Sequence, residues 1–297
     1  MNKNIMTFKC IHRHSAFSHP KCYMKFLNGD IGVIKKLPKV LLFDIETAPL
    51  SAYVFQKSVW RTNVTDDQVI SEWFMLTWSA KWLYDDKVIS ARLTGKEAVA
   101  EDDSRIVGDL WKLLDEADIV IAHNGDGFDI PNMNTRFIIL GYPPPSPYNT
   151  VDTMLVARKQ FGFTHNTLNA LAKIFGFEAK KDTDFDLWKR CRAGDNEALK
   201  YMQEYNIGDT NLLEKVYLRL RPWIRNHPNV GLYIDSVEPL CPNCGSAKVK
   251  FLKDKFHYTS TSKFPLFLCE CGAYGRVRKS VVSKEVKQNL VVSLPVR

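Results

Sequence analysis

The chain has 297 residues, 45% of them apolar, and carries 41 Lys/Arg against 33 Asp/Glu for a formal charge of +8. That is enough chain to bury a substantial core, while its longest apolar runs fall far short of the roughly 20 residues that cross a bilayer, which excludes an integral helical membrane protein. Met1-Asn2-Lys3-Asn4 leads into no apolar stretch of secretory length, and seven cysteines at metal-like spacings fit a reducing compartment, so a cytoplasmic protein is expected.

In chain order, the first candidate ligands are Cys10-x-His12-x-His14 and His19-Pro20-x-Cys22, two cysteines and three histidines within thirteen residues. Cys10, His12, His19 and Cys22 make the preferred Cys₂His₂ zinc set, with His14 able to replace His12. The alternative is a basic, flexible leader whose histidines are incidental. Residues 1–36 form this segment.

Val40 to Phe43 is a short apolar run that predicts a buried strand ending in Asp44-Ile45-Glu46-Thr47. Side chains alternate along a strand, so Asp44 and Glu46 point to one face. Solvated acids at a strand end would look the same from this cluster alone. Trp73 to Trp82 and Lys87 to Ser90 read as two further strands turning at Asp85-Asp86, and Ile106 to Leu114 reads as a helix.

Asp118 to Ala122 is a second apolar run, leading into the polar loop His123-Asn124-Gly125-Asp126-Gly127. A helix is expected from Phe128-Asp129-Ile130-Pro131 through Leu140. Loops at the ends of buried strands are where open α/β sheets place ligands, and spacing alone leaves Asp126 and Asp129 both eligible. Turn-making by Asn124 and Asp126, with Asp129 as a helix cap, is the other reading. Gly141 to Pro147 is a proline-stiffened loop. Val151-Asp152-Thr153 reads as a strand entering a helix with Asp152 at its N-cap, and Thr167 to Phe175 has helical leucine spacing.

From Asp195 to Tyr217 apolar residues recur at helical intervals, placing Tyr205 and Asp209, at i and i+4, on one face. A phenol beside a ligand carboxylate can orient a water, although a tyrosine at helical spacing is more commonly core. Cys191, in the helical segment near Trp188, reads as a core or boundary residue.

Near the end, Cys241-Pro242-Asn243-Cys244-Gly245 and Cys269-Glu270-Cys271-Gly272 have the look of two zinc-ribbon knuckles supplying four thiolates, with a disulfide pair as the alternative. Residues 241–297 hold 11 Lys/Arg and 3 Asp/Glu, a net of +8, whereas residues 1–240 hold 30 of each. All of the net charge lies in the ribbon region. Its lysines are interleaved with Phe251, Phe256, Tyr258, Phe264, Phe267 and Tyr274, which suits a patch that holds nucleic acid or a small core solubilised by lysines. Residues 279–297 read as a terminal strand or a tail.

Acids gathered in this way suit phosphodiester hydrolysis, in which two divalent ions about 3.5–4 Å apart stabilise the attacking and leaving oxygens. The ordered set Phe43-Asp44-Ile45-Glu46-Thr47, His123-Asn124 through Phe128-Asp129, and Tyr205 through Asp209 resembles the three motifs of the DEDD superfamily of 3′-to-5′ exonucleases, in its tyrosine-type, proofreading-like form. The resemblance covers roughly residues 38–225. It implies an α/β fold, a ribonuclease H-like mixed sheet flanked by helices, over residues 37–235, followed by the small basic zinc ribbon and tail of 236–297.

Carried over by residue, the resemblance makes Asp44, Glu46, Asp129 and Asp209 the ligands of two Mg²⁺ or Mn²⁺, prefers Asp129 to Asp126, and gives Tyr205 the nucleophilic water. Ile45, Thr47, Asn124 and Phe128 would lie against the terminal nucleotide of a single-stranded DNA or RNA end, releasing 5′-mononucleotides. With no polymerase domain following, it implies a stand-alone enzyme similar to small nucleases of bacteria and their viruses. The alternatives are a catalytically silent nucleic-acid-binding module and an endonuclease on the same fold.

Overall fold

A computed structural model describes residues 37–55, 63–178, 183–234 and 236–294; Cys10, His12, His14, His19 and Cys22 lie outside the described residues. Two compact units emerge, one spanning Lys39–Leu220 and the other containing, among the described residues, Leu37, Pro38 and the chain from Arg221 onward.

In the first unit, β1 (Val40–Thr47) is followed by β2 (Ser51–Ala52), β3 (Val69–Ser71), β4 (Met75–Trp82), β5 (Val88–Arg92), α1 (Gly95–Val99), α2 (Ser104–Glu116), β6 (Ile119–Ala122), α3 (Asp129–Ile139), β7 (Asn149–Asp152), α4 (Thr153–Gln160), α5 (Leu168–Phe175), α6 (Phe185–Arg192) and α7 (Asn196–Leu220). Five strands form one mixed sheet in the order β5-β4-β1-β6-β7, and β2 pairs with β3 separately. β4 runs antiparallel to β1 and β5, whereas β1, β6 and β7 are mutually parallel. The sheet is thus the mixed, helix-flanked, ribonuclease H-like one that the sequence implies.

Alternation along the central strand divides its labour. Leu41, Phe43 and Ile45 enter the main core with Trp78, Ala80, Ile106, Leu110 and Leu114, so this face is sealed by the apolar stripe of α2. The opposite face carries Val40, Leu42, Asp44 and Glu46, and the residues paired with the last three on β4 are Lys81, Ser79 and Thr77. All three of these polar residues are buried. Burying them unpaired would be costly, and each has a partner. The Ser79 hydroxyl donates to the Asn206 carbonyl at 2.8 Å and meets the Thr210 hydroxyl at 2.5 Å, Lys81 Nζ lies 2.6 Å from Glu214 Oε2, and Thr77 donates to the Ala91 carbonyl at 2.7 Å. Two of these partnerships dock α7 across the sheet.

Helix α3 is anchored from the other side. Asp103, fully buried, accepts from Arg136 Nη2 at 2.6 Å and from the Met75 amide at 2.8 Å, tying α3 to the start of β4. Asp152 is the N-cap of α4, accepting from the amides of Met154 and Leu155.

In the second unit, β8 (Val249–Tyr258), β9 (Lys263–Cys269) and β10 (Tyr274–Arg276) form an antiparallel sheet in the order β10-β9-β8. The tail contains a one-turn helix, α8 (Lys284–Gln288), begun by Ser283, whose hydroxyl accepts from the Val286 amide at 3.3 Å. Among the described residues, no helix is long and apolar enough to cross a membrane.

Candidate active site and metal centres

Pairing between β1 and β6 ends at Leu42 and Ile121, while β1 continues to Thr47. Asp44 and Glu46 therefore project beyond the carboxyl end of the parallel strands, at the edge where α/β sheets hold ligands. They share the face on which α7 lies, and α7 brings Asp209 to them. Carboxylate oxygens of Asp44, Glu46 and Asp209 all lie within 4.8 Å of one another. Two of these acids are half-buried and Asp209 is buried. Three like charges this close repel strongly unless a cation offsets them, and an all-oxygen donor set suits a hard divalent ion such as Mg²⁺ or Mn²⁺.

Asn206 was not picked out by sequence reasoning. Its Nδ2 donates to Asp44 Oδ2 at 2.6 Å, and its backbone carbonyl receives the Ser79 hydroxyl, so β4 holds the stretch of α7 from which this amide reaches Asp44. The available signal was its position three residues before Asp209, a polar residue on the buried stripe of a long helix.

Asp129 opens α3 and is buried beside the same strand, its Oδ1 accepting from the Ile45 amide at 3.1 Å. The structure thus sets it against the backbone between Asp44 and Glu46. Burial pushes its carboxyl up to about 7, with the neighbouring Asp152 carboxylate adding to the rise and the Ile45 amide opposing it. Asp126, by contrast, is exposed.

The loop before α3 is shaped from below. Asp152 accepts from the amides of Asn124 at 3.1 Å and Asp126 at 3.2 Å as well as capping α4, so one buried carboxylate holds four N–H groups. Asn124 occupies the left-handed region at φ 69°, which asparagine tolerates, and its carbonyl accepts from Gly127 and Phe128. A Cβ on Gly125 would come within 2.4 Å of the Ala122 side chain, so only glycine lets the loop fold back on β6. Phe128 is left 40% exposed at the rim. His123 is spent on structure, its ring nitrogens meeting Thr153 Oγ1 at 2.8 Å and the Asn166 carbonyl at 2.9 Å.

Tyr205 is half-buried on α7, one turn before Asp209, and packs against the main core. Cys191 is fully buried, and burial pushes its thiol up to about 12, which makes it a core residue rather than a nucleophile.

Four cysteines gather in the second unit. Cys241 Sγ lies 3.7 Å from Cys271 Sγ, and Cys244 Sγ lies 3.6 Å from Cys269 Sγ. A tetrahedron with Zn–S bonds of about 2.3 Å has S···S edges of roughly 3.8 Å, so the spacing is that of thiolates around zinc and far too long for disulfides. The knuckle glycines Gly245 and Gly272 have φ of 74° and 87°, letting the Gly245 amide reach the Cys241 carbonyl and the Gly272 amide reach that of Cys269. A hydrogen bond from Cys244 pulls Cys241 down to about 5, while burial pushes Cys269 up to about 11. The cluster is compatible with a zinc ribbon.

The sequence profile of the RNase H superfamily matches residues 41–221, covering all of α7 and all of the five-stranded sheet but its first residue, Val40. The chain belongs to the RNase H superfamily. Among solved structures, the family B DNA polymerase from the hyperthermophilic archaeon Pyrobaculum calidifontis is similar to this superfamily member at 18% identity and a TM-score of 0.45, over 63% of this chain and 25% of the polymerase. This chain therefore corresponds to about a quarter of that polymerase. No curated protein is significantly similar to it. Superfamily membership and the acidic donor set together give the general class, a metal-dependent nuclease.

Proposed function

We propose that this protein is a 3′-to-5′ exonuclease that hydrolyses phosphodiester bonds at single-stranded nucleic-acid ends and releases 5′-mononucleotides. The observation that carries the reading is the approach of Asp44, Glu46 and Asp209 to within 4.8 Å of one another. Asp129 at the Ile45 amide supports it, as does Tyr205 one turn before Asp209.

Asp44, Glu46 and Asp209 would hold two Mg²⁺ or Mn²⁺, with Asp129 completing the donor set. Such ions supply Lewis-acid stabilisation of the attacking and leaving oxygens. Asn206 keeps Asp44 in its ligating rotamer, Tyr205 orients the attacking water, and the terminal nucleotide rests on the backbone of Ile45 and Thr47 between Asn124 and the exposed Phe128 ring. Cys241, Cys244, Cys269 and Cys271 would hold a structural zinc.

The test is a 5′-labelled single-stranded oligonucleotide incubated with Mg²⁺ or Mn²⁺. A ladder shortening by single nucleotides is expected. Outer partners of metal ligands are worth roughly 10–100-fold, so Asp44→Ala and Asp129→Ala should cost more than that. Undiminished cleavage by both variants sinks the assignment, and equal cleavage of a circular single strand replaces it with an endonuclease.

A further inference from the structure

Both faces of the ribbon sheet carry aromatic rings. Phe267 is buried, Phe251, itself 48% exposed, meets its ring edge-on at 6.2 Å, and strand pairing puts Phe256 and Tyr258 on that same face, opposite Pro265 and Lys263. Strand pairing sets Leu268 opposite both Lys250 and Tyr274, Leu266 opposite Arg276, and Phe264 opposite His257, so these residues occupy the sheet face away from the Phe267 side chain.

On that face Tyr274 is 65% exposed, and the Arg276 guanidinium lies 4.1 Å from the centroid of Phe264, whose other neighbour is the His257 ring at 6.4 Å. Tyr274, Arg276, Phe264 and His257 thus form a band of planar groups across all three strands. Arg276 spends one N–H on the Val277 carbonyl at 3.3 Å, and no carboxylate engages it among the described residues. The region's acids are Asp254, Glu270 and Glu285, and among the described residues only Glu270 of these forms an ion pair, with Lys248 at 3.2 Å. Lys250, Lys253, Lys255, Arg278 and Lys279 are exposed and form no ion pair among the described residues.

Lysines that merely solubilised the ribbon would need no aromatic band among them. A face offering flat π surfaces beside unneutralised cations matches one class of partner, a polyanion carrying aromatic rings. We infer that the outer face of the ribbon sheet, built on Tyr274, Arg276, Phe264, His257 and Lys250, is a second nucleic-acid-binding site that stacks the bases of single strands while lysines track the phosphates. The site is distinct from the acidic cluster, and binding there does not depend on hydrolysis by that cluster.

The test is fluorescence anisotropy of a labelled oligothymidylate with the zinc-loaded full-length protein, in an Asp44→Ala background so that no turnover intrudes. Base–aromatic stacking by alanine substitution spans about 1–3 kcal/mol, so Tyr274→Ala and Arg276→Ala should each weaken binding by roughly fivefold to a hundredfold. Tyr274→Leu, which keeps apolar bulk but loses the π face, should fall with them, while Tyr274→Phe retains affinity. Lys250→Ala should lower the salt slope by about 0.7. Zinc content and near-ultraviolet circular dichroism report the fold of each variant. Parent-like affinity in folded Tyr274→Leu and Arg276→Ala overturns the inference, as does equal binding of duplex and single strand that Tyr274→Leu leaves unchanged.

Discussion

Asp129 meets two opposed demands: burial favours its neutral form, and the role proposed for it needs the anion. With its carboxyl raised to about 7, the folded, cation-free protein holds a proton that the unfolded chain gives up near pH 4. A raised acid favours the fold below the unfolded value, and that contribution is lost as pH rises to about 7. Without Mg²⁺ or Mn²⁺ the protein should therefore lose thermal stability between pH 5 and 7.5, and Asp129→Asn should lose less. Saturating Mn²⁺ should stabilise the parent more at pH 7.5 than at pH 5. Parallel melting curves for parent and Asp129→Asn across this range would contradict the picture.

At this scale the sequence made Asp44 and Glu46 conspicuous, because two acids at alternate positions after an apolar run share one face of a strand. The amide that orients Asp44 was much less so. Asn206 is an ordinary helix residue in the sequence, and its role follows only from the fold's bringing its amide to Asp44, 162 positions away. Asp152 was readable as a cap from its place before a helix, but its grip on the Asn124 and Asp126 amides depends on the parallel pairing of β6 with β7. Local rules reach a residue's own turn, and the sheet supplies the rest.

Elements matter here because the site is assembled from the end of β1, the start of α3 and the middle of α7, and both helices are held by polar clamps. For α7 the clamp reads directly from β4, where Thr77, Ser79 and Lys81 alternate with apolar Leu76, Trp78 and Ala80. The strand was evident from composition, but its polar face was not recognised as a docking surface, since alternation usually means that the polar side meets water. For α3 the clamp is Arg136 on fully buried Asp103. Removing one partner of such a pair leaves an uncompensated charge at a cost of about 3–5 kcal/mol, so Arg136→Met should lower urea-unfolding stability by that amount. Because α3 carries Asp129, divalent-ion binding should weaken as well. A loss below about 1 kcal/mol would mean that the pair does not hold the helix.

On the scale of the whole molecule, the two units rest on different foundations. The larger one has an extensive apolar core reaching from Leu41 and Trp78 to Met202, independent of any ion. The ribbon's buried cluster is Cys241, Cys269 and Ala273, with Cys244, Cys271 and Val249 packed against it, so its proposed metal ligands are also most of its core. Little else offsets the entropy of ordering three strands, and a structural zinc then contributes folding free energy directly. Stripping zinc with a strong chelator should abolish hydrogen-exchange protection in β8, β9 and β10 while β1, β4 and β6 keep theirs. Restoring zinc should restore the ribbon's protection. Binding through Tyr274 and Arg276 should vanish and return in step with it, because their band exists only while three strands hold it in register. Protection of β8–β10 that persists after the metal is removed would show that the four cysteines pack as thiols and that the ribbon needs no ion.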